Sequence, residues 1–118
     1  MRVRGIRGAI AVPEDARDAV LDACERVVRE MMLRNVVEAP DLVSVIFTAT
    51  EDLRSAFPAE AARRAGLTNV PLLCAREIDV EGAMPRVIRV LMHVNAEETD
   101  SPVEHVYLDG AESLRDDL

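Results

Sequence analysis

Apolar residues along this chain recur either at every second position or at every third and fourth. RVRGIRGAIAV (2–12) alternates, and so does DLVSVIFTAT (41–50), where Val43, Val45, Phe47 and Ala49 fall on one face. VPLLCA (70–75), RVIRVLMHVN (86–95) and VEHVYL (103–108) complete five predicted strands. Between the first two, Ala16, Val20, Ala23, Val27 and Met31 keep helical spacing, with Cys24 and Val28 widening the stripe. Pro13 suits the first turn of that helix, Glu14 and Asp15 its positive end, and Asn35 its stop. On the polar face Asp22 with Arg26, and Glu25 with Arg29, are spaced to pair across one turn. A short second helix is predicted within SAFPAEAARRAG (55–66), opened by Pro58 and closed by Gly66, and REIDVEGAMP (76–85) reads as a connecting loop.

The order strand–helix–strand–helix–strand–strand–strand predicts a single α+β domain over residues 1–118, a mixed five-stranded sheet with one long and one short helix. Gly5 and Gly8 in the first strand predict a close approach to its backbone. One long helix cannot cover both faces of five strands. Since the strands are apolar on both sides, the second face is expected to pack on another chain.

Composition narrows the chemistry. The 118 residues carry 14 basic and 22 acidic side chains, a net charge of −8, and phosphate backbones would be repelled. Every basic residue is arginine, so Schiff-base, pyridoxal-phosphate and P-loop chemistry have no lysine to use. Cys24 and Cys74 have no zinc spacing and read as free thiols in a reducing compartment. No apolar run reaches the ~18 residues of a membrane span, and MRVRGIRGAI lacks the apolar centre of a secretory signal, so a cytoplasmic location is expected. The acidic clusters EETD (97–100) and RDDL (115–118) are expected to be solvated loops.

Against this background Arg89 stands out. It sits in the middle of PRVIRVLMHV (85–94), sharing a strand face with Val87, Leu91 and His93. A guanidinium keeps its proton, and burying it among apolar groups costs several kcal/mol unless an anion meets it. Arg7 repeats the pattern between Gly5 and Ala9, and a planar fork is the group that holds a carboxylate bidentately. Glu77 falls where the third strand gives way to a loop, a common place for a functional side chain. His93 and His105 lack a partner serine or metal spacing and read as satisfied histidines; Tyr107 shares a face with His105. These residues imply an oligomer that binds a small anionic, carboxylated ligand between strands, and they name no reaction.

The motifs RGIRGA, FTATEDLRSAFPAEAAR, VPLLCAREIDVEG, IRVLMHVN and HVYLDGAESLRDDL, in this order and spacing, resemble the monofunctional chorismate mutases of the trimeric pseudo-α/β-barrel class over essentially the whole chain. The resemblance implies a homotrimer with active sites in clefts between subunits. It also implies rearrangement of chorismate to prephenate on the route to phenylalanine and tyrosine, without cofactor or metal. By residue, it implies that Arg7 binds a substrate carboxylate and that Arg89 reaches both the enolpyruvyl carboxylate and the ether oxygen. Cys74 and Glu77 would lie near the ring hydroxyl, and Tyr107 would donate to a carboxylate. Phe57, Ala59, Leu72 and Leu114 would be apolar walls, with Leu73 beside them and Arg63 and Arg115 at the entrance. On this reading Arg89 stays unpaired until substrate arrives. Three positions depart from the family: Glu60 stands where some members carry lysine, Leu73 where threonine occurs, and LRDDL replaces a common LRPDL ending, which puts a lid role for the tail in doubt. Two other classes fit parts of the pattern, a non-catalytic trimeric domain sensing a carboxylated metabolite and a trimeric enamine/imine deaminase.

Overall fold

A computed structural model describes residues 2–97 and 101–116, the side chain of Asp116 excepted. Most of the EETD cluster and the last two residues of RDDL lie outside the described residues. The elements are β1 (Arg2–Ala11), α1 (Arg17–Arg34), β2 (Leu42–Ala49), α2 (Pro58–Arg64), β3 (Leu72–Arg76), β4 (Val87–Ala96) and β5 (Val106–Leu108), in the expected order. Two short 3-10 turns, Ala39–Asp41 and Ala111–Asp116, were not expected. The strands form one mixed sheet in the order β3-β2-β4-β1-β5. The central β2–β4–β1 pairings are antiparallel, and the outer β3 and β5 run parallel to their neighbours.

One face of the sheet and the inner stripe of α1 make the main core. Ile6, Ile10, Phe47, Ile88 and Met92 pack there with Val20, Leu21, Cys24, Val27, Val28 and Met31, all almost fully buried. Gly8 explains how closely α1 can lie: a Cβ there would collide with Met31 Sδ, so a strand glycine lets the helix down onto the sheet. Gly5 has no such reason, since a Cβ there would meet only Leu91 Cδ1 at an ordinary 3.7 Å. Gly66 closes α2 as expected, taking φ +98° while Leu67 N–H donates back to the Ala62 carbonyl.

Several local expectations are corrected. Pro13 is not in a helix; residues 13–15 form a bend and α1 begins only after Ala16. The carboxylate of Asp15 accepts the Arg54 and Ser55 N–H groups instead of facing α1. Val43 does not share the buried face of Val45 and Phe47, because the β2–β4 register slips between Leu42 and Ser44 and leaves it 41% exposed. The fifth strand is only three residues long. On α1, Glu25 and Arg29 pair as expected, but Arg26 pairs with Asp109 after β5. Glu60 on α2 pairs with Arg17 and Arg64.

Candidate active site

The face of the sheet opposite α1 is built in rows, because partners in register project their side chains the same way. One row reads Leu73, Ile46, Leu91 and Arg7 across β3, β2, β4 and β1. The next reads Ala75, Thr48, Arg89, Ala9 and Tyr107 across all five strands. Ala9 is the small member of its row. It leaves a depression between the long side chains of Arg89 and Tyr107, and is itself buried in a compact cluster with Val87, Ala111 and Leu114. The result is an open hollow of about 250 Å³ lined by Arg7, Thr48, Glu77, Arg89, Leu91 and Tyr107 among others.

Glu77 reaches this hollow from just beyond β3. Its N–H donates to the Ala49 carbonyl at 2.9 Å, which carries the β2–β3 pairing one step further. The Thr48 hydroxyl donates to Glu77 Oε2 at 2.5 Å, and that same oxygen lies 3.3 Å from Arg89 Nε. The chain's own carboxylate therefore meets Arg89, correcting the expectation that Arg89 waits unpaired. The pairing is incomplete, however. Arg89 Nε is buried and makes no hydrogen bond, and the side chain is 36% exposed toward the hollow. The side chains of Arg7 and Tyr107 have no hydrogen-bond or ionic partner among the described residues. Two guanidinium groups and a phenol thus converge with unused donors, an arrangement suited to a ligand bearing more than one anionic oxygen.

The entry of β4 is fixed just ahead of Arg89. Asp52 accepts the Arg86 N–H at 3.0 and 3.1 Å from its two oxygens, and Arg86 takes a left-handed φ of +50°. The Thr50 hydroxyl, which donates to Asp52, accepts the Val87 N–H at 3.0 Å. On the far strand, the Arg7 N–H donates to His105 Nδ1 at 2.9 Å. His93, whose Nδ1 lies 3.0 Å from Ser44 Oγ, is satisfied as expected.

The remaining expected residues separate from this hollow. Cys74 pairs in register with Phe47 and belongs to the helix-side face. It lines a different cavity, about 530 Å³, with Phe57, Pro58, Ala75, Arg17, Arg54 and Arg76. Phe57 is 73% exposed there and Leu73 60% exposed on the open sheet face. Ala59 and Arg63 stand on α2 near that second cavity, Leu72 is half-buried on the helix side, and none of the three lines the hollow. Leu114 is buried in the cluster with Ala9 and does not line the hollow, and Arg115 lies in an adjoining cavity with Arg7 and Tyr107. Thr48 and Ala9 escaped the sequence reading. Both are short side chains on strands, and only the strand register reveals that they flank Arg89. Among the described residues, no group of three or more His, Cys, Asp or Glu side chains is placed to hold a metal ion, and no helix is long and apolar enough to cross a membrane.

Comparison with known proteins bears on this geometry. Residues 3–118 match the family model described as chorismate mutase type I. The chain is 52% identical to chorismate mutase AroH of Thermus thermophilus over 98% of this chain and 96% of that protein. It is 36% identical to chorismate mutase AroH of Bacillus subtilis over 100% and 94% of the two chains. Among solved structures, a chorismate mutase from Clostridium thermocellum superposes with a TM-score of 0.90 at 43% identity, covering 94% of this chain and 99% of that one. With the family model spanning nearly every residue and the fold agreeing at this level, the chain belongs to the type I chorismate mutases.

Proposed function

We propose that this chain converts chorismate to prephenate, within aromatic amino acid biosynthesis, in the hollow around Arg89. The reaction is an internal rearrangement. The ether C–O bond breaks as a new C–C bond forms between the enolpyruvyl methylene and the ring, and no proton or group leaves the substrate. Negative charge grows on the ether oxygen as the bond stretches. The observation that carries the reading is Arg89: a partly desolvated guanidinium whose buried Nε lies 3.3 Å from Glu77 while the side chain stays 36% exposed. Directed at the ether oxygen, it binds the transition state more tightly than the ground state, which is what lowers a barrier.

The neighbours divide the remaining work. Arg7 and Tyr107 take substrate carboxylate oxygens and hold the flexible dianion in its compact shape, removing conformational freedom before reaction. Glu77, held by Thr48, orients Arg89 and receives the ring hydroxyl. A million-fold acceleration requires about 8 kcal/mol, and one well-placed donor of the oxyanion-hole kind supplies roughly 3–4 kcal/mol of it.

We further propose a homotrimer in which the hollow of one copy faces the Phe57–Cys74 cavity of the next, bringing Phe57, Ala59, Arg63, Leu72 and Cys74 to the substrate. Two features support it. The expected residues fall into two groups on opposite faces of one chain, and the open face presents Val3 and Leu73 at 57% and 60% exposure. The two free thiols are in keeping with a reducing, cytoplasmic setting.

The test is the ultraviolet absorbance of chorismate's diene, which should decay on adding the purified protein alone. Arg89→Ala should nearly abolish the decay. Arg89→Lys should lower kcat by about 10²–10³-fold, because one ammonium cannot serve carboxylate and ether oxygen together. A lysine variant with unchanged kcat/KM would remove Arg89 from this role.

A further inference from the structure

We infer that His105 is a positioning residue for substrate binding, acting through the backbone of Arg7. The inference rests on the carboxylate-binding role proposed for Arg7. The parallel pairing of β1 with β5 begins only at Gly8, opposite Val106, so the N–H of Arg7 lies one residue before the ladder and lacks its support. The His105 side chain fills the vacancy: Nδ1 accepts that N–H at 2.9 Å. An imidazole thus extends the strand pairing to the very residue whose guanidinium faces the hollow.

The arrangement dictates the state of the ring. A nitrogen that accepts a hydrogen bond carries no proton, so His105 is neutral with its proton on Nε2. Its surroundings favour that state. Arg7 on β1, Arg34 at the end of α1 and Arg115 after β5 face the same cavity as His105, and Glu104, Tyr107 and Glu112 are the other titratable groups around it. Partial burial and then the charge of Arg7 lower the His105 pKa below its ordinary 6.5. The satisfied histidine of the sequence reading is therefore satisfied by the backbone of the residue that grips the substrate.

The same geometry names the variants. Asparagine carries its Oδ1 where histidine carries Nδ1, so His105→Asn can accept the Arg7 N–H, whereas His105→Leu cannot. The experiment measures kcat and KM for chorismate in wild type, H105N, H105L and R7A. Loss of the hydrogen bond should raise KM for chorismate by about tenfold in H105L while kcat changes little. H105N should return KM to within about threefold of wild type. An H105L enzyme with wild-type KM, or an H105N enzyme as impaired as H105L, overturns the inference. If H105L fails to fold, H105A, which equally lacks an acceptor, takes its place against H105N under the same limits. R7A separates the two readings: normal KM in R7A would remove the role of Arg7 itself, whereas a raised KM in R7A with a normal one in H105L would remove only that of His105.

Discussion

At the residue scale, the side chains of the hollow hold one another in place. Thr48 spends its hydroxyl proton on Glu77, and the Glu77 oxygen that accepts it also lies against Arg89. This indirect support was invisible in the sequence, because Thr48 is one of several polar residues alternating along β2 and nothing local distinguishes it. Arg89 was legible for the opposite reason: a charge in an apolar run demands an explanation on physical grounds alone. His105 leads to a pH prediction. Its folded pKa lies below 6.5, so the unfolded chain takes up the proton first as pH falls. The contribution of His105 to stability is complete above pH 6.5 and declines as pH drops below that value. At fixed protein concentration, the thermal midpoint of wild type should therefore fall relative to that of His105→Asn between pH 7.5 and 5.5. A constant difference between the two would contradict the assignment of the neutral ring.

At the element scale, the long helix and β1, β2 and β4 were readable because each buries a stripe wide enough to dominate its neighbours, whereas β3 buries no residue fully and was marked only by its short apolar run. What failed were the edges. Pro13 carried a helix-start signal, yet Asp15 was already engaged with the loop at Arg54 and Ser55, so the chain bends there instead. The slip at Val43 rotated one residue out of its alternation, a change that depends on β4 and leaves no mark in the β2 sequence. β5 spans only three residues paired with β1, and just before them His105 meets β1 through its side chain instead of its backbone. The packing of α1 on β1 gives a direct test. Gly8→Ala would drive a methyl into Met31 Sδ, and it should destabilise the protein by about 1–3 kcal/mol in denaturant titration. Met31→Ala should cost less in the Gly8→Ala background than in wild type, since the space Met31 vacates is the space the methyl needs. Additive losses would show that the two sites do not touch.

At the scale of the whole molecule, the residues expected at the site fall into two groups that one chain holds apart. The hollow at Arg89 opens on one face of the sheet, and the Phe57–Cys74 cavity lies toward the other. Sequence motifs listed both sets side by side without revealing that a single copy separates them; only strand direction and register do so. If adjacent copies complete one another, Arg89→Ala and Phe57→Asp should each be nearly inactive as pure trimers. Mixed trimers formed by joint refolding should regain turnover, because some interfaces then combine an intact Arg89 with an intact Phe57. Phe57 is largely exposed in the single chain, so the aspartate should not disturb its folding. Failure of the mixture to recover, with both variants folded and trimeric, would place the whole site within one copy.

The row Ala75–Thr48–Arg89–Ala9–Tyr107 has a further consequence as an instrument of measurement. Each step across it is one interstrand spacing, about 4.8 Å, so the backbones bearing Arg89 and Tyr107 stand roughly 10 Å apart whatever side chains they carry. The sheet acts as a graduated rule, and Ala9 is the blank mark between two engraved ones. A drifting sequence can change what is written at each mark, but it cannot alter the interval between them without breaking the ladder itself.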